Sequence, residues 1–124
     1  MFKILVVNND FDLMTLLKTW LEKRDYQVHY TGNVDEVPQI MTTFQPDIVM
    51  VDILQSKVAA LLKANAETAS VPILLMTGYA NSKDYPSDNS DDVIRKPFDL
   101  EILEAKIKSL LRPLLVPSNP DALR

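Results

Sequence analysis

Pro46-Asp47-Ile48-Val49-Met50-Val51-Asp52 is the stretch that decides the fold. A proline opens it, an unbroken apolar run fills it and a carboxylate ends it. A run this short, rich in Ile and Val, suits a strand buried on both faces, which is what a parallel sheet covered by helices on either side requires. Asp52 then stands where the strand leaves the sheet. In open α/β sheets that edge is where ligands and chemistry collect, so the chain around it is searched for other groups arriving there.

Working outward, Lys3-Ile4-Leu5-Val6-Val7 repeats the buried-strand pattern and ends in Asn8-Asn9-Asp10. From Phe11 the period changes, with Leu13, Leu16, Leu17, Trp20 and Leu21 on one helical face and Asp10 placed as N-cap. Tyr26 to Tyr30 alternates like an edge strand exposed on one side, and Thr31-Gly32-Asn33 turns the chain into a short helix from Asp35 to Phe44 that tolerates Pro38 near its start. Lys57 to Asn65 carries Val58, Leu61 and Leu62 as a third, modest helix. Val71 to Thr77 is a further buried strand, followed at once by Gly78. Asn81 to Asp92 has almost nothing apolar to bury and is expected to be a loop, so a fourth helix there is short or missing. Val93 to Lys96 is the last strand. Asp99 caps a final helix with Leu100, Leu103, Ile107, Leu110 and Leu111 inward, acids early and bases late as the helix dipole favours. This order predicts an α/β fold, a doubly wound five-stranded parallel sheet with right-handed crossovers, over residues 1–112, with 113–124 a proline-containing tail or linker.

The composition bounds the function. At 124 residues the chain suits one domain that can bury a core unaided, and the absence of cysteine excludes disulfides, thiolate zinc sites and thiol redox chemistry. That absence fits a reducing cytosol. A formal charge of -4 argues against direct nucleic-acid binding, which needs clustered Lys and Arg. The apolar segment Ile4 to Val7 is too short for a signal peptide or a membrane span, so a cytoplasmic protein without a membrane partner is expected. His29 is the single histidine, which leaves no support for a histidine metal cluster.

Four groups fall at strand ends: Asn8-Asn9-Asp10, Asp52, Thr77 and Lys96. With Lys3 to Val7, Pro46 to Ile53, Met76-Thr77-Gly78 and Arg95-Lys96-Pro97-Phe98-Asp99-Leu100 in this order, the chain resembles the receiver domain of two-component response regulators over about residues 3–112. The resemblance implies the flavodoxin-like receiver fold. It also implies that Asp52 accepts a phosphoryl group from a histidine kinase or phosphotransfer protein, that the Thr77 hydroxyl bonds the phosphoryl oxygen, and that the Lys96 ammonium offsets its charge. The bond to Pro97 is commonly cis in such domains. Signalling by phosphorelay, with a homodimer or a downstream output protein or domain as further partner, follows from the same resemblance. No enzymatic activity is implied beyond phosphorylation and dephosphorylation of Asp52 itself.

The departures from the family pattern are specific. Asn8 and Asn9 stand where an acidic pair usually holds Mg²⁺, which leaves Asn9, Asp52 and Asp10 as the candidate metal ligands and predicts weakened binding. Two unit charges 4 Å apart interact by ~4 kcal/mol at an effective dielectric of ~20, so even a screened part of that is felt. Ile53-Leu54-Gln55-Ser56-Lys57 is shorter than the usual loop after the phosphoacceptor and lacks its second aspartate, and Val93 replaces a switching aromatic residue. These features support a second reading, a pseudo-receiver that binds proteins without being phosphorylated. A flavin- or nucleotide-binding relative would need a phosphate-cradling turn after the first strand, and Asn8-Asn9-Asp10 is not one.

Overall fold

The structure, a computed structural model, describes residues 1–78 and 90–115. Five strands, β1 (Lys3–Val7), β2 (Gln27–Thr31), β3 (Ile48–Asp52), β4 (Ile73–Thr77) and β5 (Asp92–Arg95), form one sheet in the order β2-β1-β3-β4-β5. Every pairing is parallel. The described helices are α1 (Phe11–Glu22), α2 (Val37–Phe44), α3 (Lys57–Ala64) and α4 (Leu100–Leu115), with single 3-10 turns at Val34–Glu36 and Ile53–Gln55. The doubly wound parallel sheet expected from the sequence is therefore present, with β2 at one edge and β3 at its centre.

Alternation along the strands sorts the core into two layers. Ile4, Val6, Ile48, Met50, Leu74, Met76 and Ile94 face one side, where Met14, Leu17 and Leu21 of α1 and Leu103, Ile107 and Leu111 of α4 cover them. Leu5, Val7, Val49, Val51, Ile73 and Leu75 face the other, covered by Val37, Ile40 and Met41 of α2 and Val58, Ala59 and Leu62 of α3. This two-sided burial is why β3 and β4 read as unbroken apolar runs and cannot show a period of two.

Local chemistry sets the helix starts and stops. Asp10 caps α1 by accepting from Leu13 N at 3.1 Å, and Pro38 sits in the first turn of α2, where its missing N–H breaks no helical bond. Gln45 ends α2 in the left-handed region at φ 53°. Asp99 accepts from Glu101 N at 2.7 Å at the start of α4.

Three expectations are corrected. Leu16 is 53% exposed and Met14 takes its place in the core, because the buried stripe of α1 is centred on Met14, Leu17 and Leu21. At 3.6 residues per turn Leu16 lies roughly 130° from that centre. For the same reason Leu61 faces outward on α3 while Ala59 is buried. Helix α4 continues past Arg112, through Pro113 to Leu115. Proline here removes one helical hydrogen bond in the last turn only, so the helix need not stop before it. The expectation that a fourth helix is short or missing after Gly78 falls on residues 79–89, outside the described residues, as does the tail beyond residue 115.

Candidate functional site

Asp52 is the last residue of β3 and is 4% exposed. Register places its neighbours. Val7 pairs with Val51, so Asn8 follows β1 beside Asp52 on one flank, and Asp52 pairs with Met76, so Thr77 ends β4 on the other. Thr77 pairs in turn with Arg95, which carries Lys96 to the same edge. The Thr77 carbonyl then accepts from Lys96 N at 2.6 Å, pinning the backbone that delivers the lysine. The Lys96–Pro97 bond is cis, and Phe98 beyond it packs half-buried against the core under α1 and α4.

The carboxylate of Asp52 is engaged at both oxygens. Oδ1 accepts from Lys96 Nζ in a close ion pair, and Oδ2 accepts from Leu54 N at 2.9 Å in the 3-10 turn that follows β3. A buried carboxylate needs such partners, since taking its charge out of water is costly unless it is paired and hydrogen-bonded. Thr77 is fully buried. Three groups named from the sequence, Asp52, Thr77 and Lys96, thus stand at the ends of three successive strands along one edge, with Asp52 and Lys96 in direct contact.

The β1 flank has a different character. Asn8 is 1% exposed; its N–H donates to Thr31 O at 3.0 Å and its Oδ1 accepts from Asp10 N at 2.6 Å. That bond fixes which end of the amide is oxygen and leaves Nδ2 buried without a partner among the described residues. Asn9 is exposed. The Asp10 carboxylate is occupied as the cap of α1. No group of three acidic or histidine side chains that could hold a metal occurs among the described residues. Sequence reasoning missed one polar group near this edge, Gln55, whose Oε1 is buried and without a partner among the described residues.

Gln55 closes the 3-10 turn after β3, and its Nε2 donates to Gly32 O at 3.2 Å. Gly32 follows β2, and a Cβ there would stand 3.3 Å from Asn8 O and 3.4 Å from Asn9 Cα. The loop after β2 therefore packs directly onto the Asn8-Asn9 segment, and a side chain at position 32 would press on backbone. No local sequence pattern marks Gln55, because its contact spans 23 residues of chain. Val93, where the resemblance places an aromatic switch, is half-buried against the layer under α2 and α3.

Comparison with known proteins agrees with this geometry. The family described as response regulator receiver domain matches residues 4–108. The sensory transduction protein BceR of Halalkalibacterium halodurans is 31% identical over 121 residues, covering 90% of this chain and 51% of its own length. The CpxR homolog of Haemophilus influenzae, a transcriptional regulatory protein, is 31% identical over 124 residues, covering 96% and 54%. The chain thus spans about half the length of the curated relatives it matches. Among solved structures, the response regulator TrrA of Thermotoga maritima in complex with Mg²⁺ and BeF superimposes with a TM-score of 0.79 at 27% identity, covering 90% of this chain and 100% of that one. A two-component response regulator from Clostridium difficile gives 0.78 at 28% identity, covering 92% and 98%. Since the family match runs over residues 4–108, most of the chain and nearly all of its sheet, this chain belongs to the receiver domain family of two-component response regulators.

Proposed function

We propose that Asp52 is the phosphoacceptor of this receiver, taking a phosphoryl group from a phosphohistidine on a histidine kinase or phosphotransfer protein. One carboxylate oxygen forms the new bond to phosphorus while the bond from phosphorus to the imidazole nitrogen breaks, and that nitrogen leaves with the electron pair. The observation that carries the reading is the ion pair between Lys96 Nζ and Asp52 Oδ1 at an edge that also holds buried Thr77. Lys96 is positioned to pass from the carboxylate to a phosphoryl oxygen, and the Thr77 hydroxyl, on the adjacent strand, is the second donor for that oxygen. Phosphoryl transfer is mostly positioning and charge neutralisation, which these two groups supply.

Mg²⁺, when bound, would neutralise charge on the transferring group. Asp52 and Asn9 would hold it, with Asp10 a weaker candidate because its carboxylate caps α1. Two amides in place of two carboxylates make this cation site weaker than an acidic one. The activity in this reading is limited to phosphorylation and dephosphorylation of Asp52 itself. Its other partner is a second copy or an output protein or domain, as fits relatives described as transcriptional regulators, and its setting is the cytoplasm. Among the described residues no helix is long and apolar enough to cross a membrane.

The test is intact mass spectrometry after incubation with Mg²⁺ and a small phosphodonor such as phosphoramidate, with Asp52→Ala run in parallel. The expected result is a gain of one phosphoryl group by the wild type and none by the variant. No gain by the wild type, at donor levels that label an ordinary receiver, would overturn the reading in favour of a phosphorylation-independent interaction module.

A further inference from the structure

The β1 flank holds two buried polar atoms without partners among the described residues, a donor at Asn8 Nδ2 and an acceptor at Gln55 Oε1. Their identities are fixed by what the other end of each amide does. Asn8 Oδ1 must face the Asp10 N–H, and Gln55 Nε2 must face the Gly32 carbonyl. A buried amide oxygen left without a donor is costly, and the few such atoms in native proteins call for a specific account.

Topology says where this amide lies. Gln55 follows β3 and Gly32 follows β2, while β1 lies between those strands. The hydrogen bond from Gln55 to Gly32 therefore crosses the end of β1, over the segment Asn8-Asn9 on which Gly32 is packed. That is the flank of Asp52 from which the acidic residues are missing. A hard divalent cation takes oxygen ligands, neutral amide oxygens included, and gains most from those already held in place.

We propose that Gln55 Oε1 is a ligand for the divalent cation of this site, a neutral oxygen delivered across the end of β1 and fixed by the bond to Gly32. This rests on the cation reading proposed above and adds a residue to it. With Asp52 and Asn9 it gives the cation three side-chain oxygens from the ends of β3 and β1, one of them ionised. The Gly32 bond keeps Gln55 in place before the cation arrives, so little side-chain freedom is lost on binding.

The inference is tested on the unphosphorylated protein by calorimetric titration of Mg²⁺, so that its failure is separate from a failure of Asp52 to be labelled. Gln55→Ala is expected to raise the Kd about three- to tenfold, the loss of one ordinary polar contact. Gln55→Glu keeps the reach, adds charge and is expected to lower it. Leu54→Glu serves as the control for charge alone, because Leu54 is adjacent and 76% exposed. A tightening by Gln55→Glu well beyond that of Leu54→Glu supports ligation. Equal Kd values for the wild type and Gln55→Ala, with the thermal midpoint showing both folded, would overturn it. So would equal tightening by the two glutamates, which would reduce Gln55 to a structural tie between loops. Asp52 labelling with a Kd that does not move on Gln55→Ala would sink the ligand and leave the phosphoacceptor standing.

Discussion

The two flanks of Asp52 are built from opposite materials. Toward β4 and β5 the site is ionic and closed, with Lys96 on the carboxylate and Thr77 fully buried. Toward β1 it is neutral, with Asn8 and Asn9, an amide oxygen from Gln55 and one carboxylate, Asp10, spent on capping a helix. The difference teaches that the ionic part and the amide-lined part of one strand edge are separable, because they arrive on different strands.

The largest effect is expected on the ionic flank. Replacing Lys96 by Ala removes the preorganised cation from the transferring group, and labelling of Asp52 by a small phosphodonor should slow on the order of a hundredfold. A loss of less than about threefold, followed by mass spectrometry over time, would show that this flank matters no more than the neutral one, since deletion of such a donor ordinarily costs far more. An intermediate effect is expected on the neutral flank. Asn9→Asp restores a carboxylate where the side chain is already exposed, and Mg²⁺ should bind on the order of tenfold more tightly. An unchanged Kd would mean that geometry, and not only charge, separates the two flanks.

The smallest effect lies at the far edge of the sheet and serves as the reference for both. Burial pushes the Tyr26 hydroxyl above its ordinary pKa, Glu104 adds to the rise and Arg24 opposes it. Tyrosine is neutral when protonated, so the folded chain holds this proton more tightly than the unfolded one. The stability it contributes is fully present below the unfolded value near 10 and is lost as pH rises through the higher folded value. Chemical denaturation between pH 9 and 11 should show a decline that Tyr26→Phe reduces, with no change in Asp52 labelling at neutral pH. A decline of equal size in the variant would place its cause elsewhere.

Much of this was legible in the chain. Short unbroken apolar runs, rich in Ile and Val and ending in Asp52 and Thr77, suit strands covered on both faces, which is why the parallel sheet and the edge holding Asp52, Thr77 and Lys96 could be read before any contact was known. Asp10 and Asp99 announced their helices because a cap acts over two or three residues. The errors came where one helical face had more apolar residues than the core had room for. Leu16 and Leu61 fit the period as well as their neighbours do, and only the rotation of each packed helix sent them outward.

Periodicity, strand ends and caps are local, since they depend on residues within one turn or one strand, and the sequence by itself determined them. The two characters of the site were half-determined in the same way, because amides at Asn8 and Asn9 carry no charge wherever they fold. What the tertiary structure alone decided is contact across elements. It decided that Lys96 closes on Asp52 across 44 residues, that Gly32 lies against Asn8 and Asn9, and that the amide of Gln55 crosses the end of β1. Such contacts depend on strand order and loop path, and these are fixed only when the whole sheet assembles.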